Sequence, residues 1–296
     1  MFQPHGIIAA LSTPFFPDET LNEAELRNQV ERMVAAGVHG IFTLGTNGEN
    51  YAMDFGEKVR VMEIVIRQAA RRVPVYVGTG CVTTRETVAL TRKAAELGAD
   101  CASIVSPWFA AITQEGLYRH YRAAAEAADL PVLVYNMPAR TGVNVHYTTM
   151  ARLAELPNIV GIKDSSGNFD NTQRYLESCG SRISVLSGND SLILPILLFG
   201  GRGGVAGCAN VFPHTMVEIY EAWAAGDLER AKRVQDSIRI FRSCFKYGNP
   251  NTIIKIAAGL LGNPVGDCRR PFCRLSDEGM EQLKRTLEIC KANGLH

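Results

Sequence analysis

Short β-rich runs alternate with longer stretches of helical periodicity, and the alternation repeats eight times. No other property of the chain restricts its fold as much. The runs cover residues 7–14, 40–44, 75–78, 101–106, 132–135, 160–163, 183–187 and 204–206. Between and after them lie residues 23–36, 56–71, 84–97, 114–128, 148–156, 171–178, 191–199 and 213–225, each with apolar positions three and four apart. In the first of these Leu26, Val30, Met33 and Val34 share one face, Asn22 sits where a cap belongs, and Gly37 follows the last turn. Eight strand-then-helix units in roughly 225 residues predict a single (β/α)8 barrel over residues 1–226. A doubly wound open sheet is the alternative, but it usually has fewer strands. Three further helical patterns at 228–245, 252–261 and 277–292 predict a helical extension over 227–296, packed on the barrel. No Pro/Gly/Ser-rich linker separates the two.

Composition narrows the function. The chain has 296 residues, 46% hydrophobic and 21% charged, with a net charge of +1, which gives no reason to expect nucleic-acid or anionic-membrane partners. No apolar segment reaches the ~20 residues that span a bilayer, and the N-terminus lacks the pattern of a secretory leader. The eight cysteines form no CxxC pair and read as reduced thiols of a cytoplasmic protein. Cys268 and Cys273, the one close pair, are not read as a metal or disulfide site. The six histidines show no metal-binding spacing, so no metal and no separate cofactor are expected.

In a (β/α)8 barrel the chemistry sits at the C-terminal ends of the strands. The second run leads into Gly45-Thr46-Asn47-Gly48-Glu49, a turn whose N–H groups form a nest for a carboxylate or phosphate. The fifth leads into Tyr135-Asn136-Met137-Pro138-Ala139-Arg140-Thr141-Gly142, with a tyrosine able to pass protons and an arginine fork suited to a carboxylate. The sixth carries Lys163, in Gly161-Ile162-Lys163-Asp164-Ser165. Burial disfavours an ammonium and frees a nucleophilic amine for attack on a carbonyl. From that segment alone the plainer reading, a strand-end lysine paired with a carboxylate, is favoured; the other strand ends reverse it. The glycine-dense stretch at 200–207 lacks a P-loop ending and is not read as a phosphate cradle. A carboxylate nest, a tyrosine beside a threonine hydroxyl and a buried lysine together suit imine chemistry on a 2-oxo acid: the protonated imine is an electron sink, so the neighbouring carbon can attack an aldehyde.

These segments resemble the dihydrodipicolinate synthase / N-acetylneuraminate lyase family of class I pyruvate aldolases: Gly45–Glu49 its G-[TS]-x-G-E motif, 135–142 its Y-N-x-P-x-x-[TS]-G motif, and 161–164 its G-[IVL]-K-[DE] motif. The resemblance implies a lyase with Lys163 as the Schiff-base lysine, Tyr135 as the proton relay and Thr46 as its hydroxyl partner. It places the amides around Thr46, Asn47 and Gly48 on the pyruvate carboxylate and the Val205 backbone towards the imine. It also implies a homo-oligomer, a tetramer built as a dimer of dimers. Arg140 matches the arginine that meets aspartate semialdehyde in the synthases and disfavours an N-acetylneuraminate lyase. Two departures point away from a synthase. Asn47 replaces the second threonine of the usual pair. Trp108-Phe109 stands where synthases carry tyrosine, one of which completes a neighbouring subunit's relay. The reading favoured at this level is therefore another 2-oxo-acid aldolase, with 4-hydroxy-tetrahydrodipicolinate synthase as the alternative. A catalytically lapsed small-acid-binding barrel, for which only Phe109 speaks, comes last.

Overall fold

The computed structural model describes residues 2–272 and 274–296; Cys273, and with it the spacing to Cys268, lies outside them. Eight parallel strands close into one barrel: β1 (Gly6–Ala10), β2 (Gly40–Thr43), β3 (Val75–Gly78), β4 (Cys101–Val105), β5 (Val132–Asn136), β6 (Ile159–Asp164), β7 (Ser184–Ser187) and β8 (Gly203–Ala206). Each strand pairs with the next, and β8 pairs with β1 through Gly6–Gly203 and Ala9–Ala206. The expected (β/α)8 barrel is therefore the observed fold. The first strand is shorter than its apolar run, ending at Ala10 where 7–14 was expected. Pro14 has no N–H to give a ladder, and Ser12 N instead donates to the Asn210 side chain at 2.9 Å.

The helices are α1 (Glu23–Ala35), α2 (Phe55–Ala69), α3 (Thr84–Glu96), α4 (Gln114–Ala125), α5 (Pro138–Thr141), α6 (Tyr147–Leu153), α7 (Phe169–Cys179), α8 (Ile193–Leu198), α9 (Pro213–Ala224), α10 (Leu228–Arg242), α11 (Pro250–Leu260) and α12 (Asp277–Ala292). Side-chain caps account for many of their starts: Asn22 accepts from Glu25 N, and Asp54 forms a reciprocal capping box with Glu57. The pattern expected to run helically to residue 245 tightens after Arg242 into a 3-10 turn, Ser243–Tyr247. Asn249 then caps α11, and Pro250 takes its first position, where a missing N–H costs nothing. Among the described residues no helix is long and apolar enough to cross a membrane.

Strand alternation divides the apolar residues into two cores. Ile8, Ala10, Phe42, Tyr76, Leu133, Leu186 and Val205 fill the barrel interior, so its lumen is packed. Ile7, Ala9, Ile41, Val77, Ile104, Val134 and Ile162 face outward and pack under the helices. The same alternation sends Lys163 and Asp164 to opposite sides of β6.

One buried histidine between α3 and α4 has a consequence for stability. His120 is 3% exposed; its Nδ1 meets Thr84 Oγ1 at 3.0 Å and its Nε2 has no partner. Burial pushes the imidazole down to about 4. A depressed value means that the unfolded chain takes up the proton first. The fold therefore keeps its full stability above about pH 6.5 and loses it as pH falls towards 4, by at most ~1.4 kcal/mol per pH unit from this one group. Urea unfolding of His120→Gln should accordingly show a shallower pH dependence than wild type between pH 6.5 and 4. Parallel curves would remove His120 from the account.

Candidate active site

The strand ends meet in a cavity of about 200 Å³ at the C-terminal mouth of the barrel. Thr46, Asn47, Tyr135, Arg140, Lys163 and Val205 all line it. Gly48 does not: it completes the turn behind them, and its carbonyl accepts from Thr13 Oγ1 at 2.6 Å.

Lys163 is 5% exposed, with Nζ 3.8 Å above the Tyr135 ring and 4.8 Å above the Phe42 ring. Among the described residues no carboxylate lies within 4 Å of it, so the strand-end ion pair of the plainer reading is absent. Its neighbour Asp164, on the outer side of the strand, is fully engaged. The Asp164 carboxylate accepts from Asn136 Nδ2 at 3.0 Å, Ser166 Oγ at 2.9 Å and Thr172 Oγ1 at 2.7 Å, tying the top of β6 to β5 and α7. Lys163 thus stands on a braced strand with its amine free at the cavity floor.

Tyr135, beside Lys163 in the β5–β6 register, is the nearest acid–base group. Its hydroxyl lies 3.1 Å from Thr46 Oγ1 and donates to Met137 Sδ at 2.8 Å. With the tyrosine proton on sulfur, Thr46 Oγ1 can donate to the tyrosine oxygen or to the same sulfur at 3.6 Å. A thioether is a weak acceptor, so a substrate oxygen can displace it at little cost.

The turn that follows β2 supplies a nest. The amides of Thr46 and Asn47 donate to no group among the described residues, while their neighbours close the turn through Glu49 N to Thr46 O (3.1 Å). Two backbone N–H groups left open at a cavity wall are chemically suited to a carboxylate. Asn47 lies across Gly207, at the exit of β8, and a Cβ there would push its side-chain nitrogen aside.

The C-terminal helices complete the site, a contribution the strand-end motifs did not announce. Asn251, in the first turn of α11, donates to Thr46 O at 2.7 Å. Lys255, one turn on, is fully buried and pairs with Glu49 at 2.6 Å, and Glu49 also accepts from Arg269 N at 2.9 Å. Glu49 takes a left-handed φ of 55°, so this clamp holds a conformation the residue would otherwise avoid. Arg242, the last residue of α10, lines the cavity as well. The only forward signals were polar residues in a largely apolar helix, Asn251 and Lys255; Arg242, one of two arginines in the last turn of α10, gave none.

Two aromatic residues after β4 lie apart from this machinery. Phe109 is 99% exposed, with φ of 77°, and Trp108 lines a neighbouring apolar cavity. Within one chain neither brings a hydroxyl to Tyr135. No cluster of histidine, cysteine, aspartate or glutamate suited to a metal is present among the described residues.

A closed (β/α)8 barrel whose sixth strand holds an unpaired inward lysine beside a tyrosine–threonine pair defines the class, a class I aldolase. The chain belongs to the Dihydrodipicolinate synthetase family, whose sequence profile matches residues 3–290. Enzymes of this family are lyases that carry pyruvate on a lysine and use no metal cofactor. The chain is 38% identical to the 4-hydroxy-tetrahydrodipicolinate synthase of Thermodesulfovibrio yellowstonii, over 98% of both chains. It is 41% identical to that of Pelobacter propionicus, over 98% of this chain and 99% of the other. Among solved structures it superposes with a TM-score of 0.94 on the pyruvate complex of the chloride-inhibited dihydrodipicolinate synthase from Acinetobacter baumannii, 34% identical over 97% of this chain and 99% of that one.

Proposed function

We propose that the chain is a 4-hydroxy-tetrahydrodipicolinate synthase, joining pyruvate to aspartate semialdehyde through an imine on Lys163. The observation that carries the imine is the unpaired Lys163 amine beside the Tyr135–Thr46 hydroxyl pair. In this reading the pyruvate carboxylate sits on the amides of Thr46 and Asn47, with Val205 on the far wall. Lys163 Nζ attacks the keto carbon, Tyr135 hands a proton to the oxygen as it leaves as water, and loss of a methyl proton gives the enamine that attacks the aldehyde. Arg140 is exposed at the rim on α5, has no carboxylate within 4 Å among the described residues, and is free for the carboxylate of the second substrate.

The choice of aldehyde reverses the order of preference reached from the residues. Asn47 and Phe109 favoured a different 2-oxo-acid aldolase. Near full-length identity to synthases, with Arg140 retained, supports the synthase more strongly. The other aldolase reading keeps one specific support: Phe109 has no hydroxyl with which to complete a relay from a neighbouring subunit. The homotetramer implied by the resemblance belongs to the same proposal, and exposed Leu198, Phe199 and Leu228 suit such an assembly. A cytoplasmic location suits the seven described cysteines, all unpaired.

The test is a condensation screen at fixed pyruvate, with aspartate semialdehyde, glyceraldehyde, glycolaldehyde, glyoxylate and N-acetylmannosamine. The synthase reading expects the highest kcat/KM with aspartate semialdehyde. A higher value with any other aldehyde replaces it with the second reading.

A further inference from the structure

Arg242 is a cation inside the active-site cavity that no step above employs. It enters from α10, far from any strand-end motif, and its side chain is 22% exposed. Its one acidic neighbour is Asp190, which follows β7, with Nη1 3.6 Å from Oδ2, beyond hydrogen-bond reach. Asp190 is already spoken for: Oδ1 accepts from Gly207 N at 3.2 Å and Oδ2 from Cys208 N at 2.8 Å. These bonds fix the turn after β8 whether or not Arg242 is present. The Cys208 thiol beside it is pushed well above its usual range by burial and by Asp190, so it stays neutral and offers no second anion. The Phe245 ring lies 5.2 Å from the guanidinium. The fork thus meets a ring, a neutral thiol and one long ion pair on the wall of a cavity, and among the described residues no carboxylate accepts a hydrogen bond from it.

The balance of charge in the cavity points the same way. Lys163, Arg140 and Arg242 line it against Asp190 alone. Because β6 lies between β5 and β7, Arg140 and Arg242 stand on either side of Lys163. A partly desolvated guanidinium with only a long ion pair and a thiol for partners is poorly compensated, and an anionic substrate group supplies the missing charge-assisted bond.

We infer that Arg242 is a specificity-determining residue that, from the β7 side of the imine, joins Arg140 in binding the carboxylate carried by the aldehyde partner. The inference deepens the proposed aldol reaction and rests on Lys163 holding the 2-oxo acid. It does not require the aldehyde to be aspartate semialdehyde.

The discriminating measurement pairs two aldehydes of the same length, succinate semialdehyde and butanal, with pyruvate constant. Wild type, Arg242→Gln and Arg242→Lys are compared, and borohydride trapping of pyruvate is read by intact mass. Arg242→Gln should lose at least ~10-fold more kcat/KM for succinate semialdehyde than for butanal, as removal of one charge-assisted bond predicts. The loss should fall mainly in KM, Arg242→Lys should recover part of it, and pyruvate trapping should persist. Equal losses for both aldehydes would overturn the inference and leave Arg242 a structural support of the Asp190 turn. No loss for either would overturn it as well. If aspartate semialdehyde is not a substrate of the wild type but the succinate semialdehyde selectivity collapses in Arg242→Gln, the synthase reading falls and the Arg242 assignment stands.

Discussion

Lys163→Ala is expected to abolish the adduct formed when the enzyme, pyruvate and borohydride are mixed, and to lower turnover by roughly 10⁴-fold or more. The size follows from the absence of a substitute. Lys163 Nζ is the amine in the barrel interior; the other buried lysine, Lys255, is locked against Glu49 and the Asp267 carbonyl behind the β2 turn. The strand should survive the change, since Asp164, not Lys163, makes the bonds that tie β6 to its neighbours. Intact-mass analysis reads the adduct and thermal unfolding reads the fold. An adduct that still forms in Lys163→Ala would move the chemistry to another amine and undo the assignment.

Tyr135→Phe should cost roughly 10²- to 10⁴-fold in kcat, the usual worth of one acid–base group. The ring that covers Lys163 is retained, so pyruvate should still be trapped, more slowly. What disappears is the hydroxyl 3.1 Å from Thr46, and with it the route for a proton between the carbinolamine oxygen and the rest of the site. Phe109 offers the variant no hydroxyl in its place, and the Tyr51 phenol stands against the Asn251 amide at 3.3 Å. An unchanged rate would show that the proton travels by solvent, and Tyr135 would then be a wall of the lysine pocket and no more.

The barrel could be read from the sequence because its signals repeat. Apolar runs and helical spacing recur eight times, and one ambiguous boundary, such as the end of β1 before Pro14, does not disturb the count. Thr46, Tyr135 and Lys163 were legible for a related reason, since a barrel brings strand ends together whatever their separation in sequence. Arg242, Asn251 and Lys255 were not. They reach the site by the packing of α10 and α11 on the mouth of the barrel, and no periodicity in those helices says which side chain faces the cavity. The order of the two aldolase readings changed on evidence of another kind. Asn47 and Phe109 were weighed as single departures, while a likeness to synthases spread along nearly the whole chain weighs more than either.

The bonds from α11 to the β2 turn also bear on when activity can arise. Asn251 reaches Thr46 across 205 positions and Lys255 reaches Glu49 across 206. During synthesis from the N-terminus, all eight strands and the Lys163 amine exist before either partner has left the ribosome. A nascent barrel therefore carries its inward lysine while the turn after β2 is still unfastened. The last sixth of the chain works as a latch on that turn, closed only when translation is nearly over.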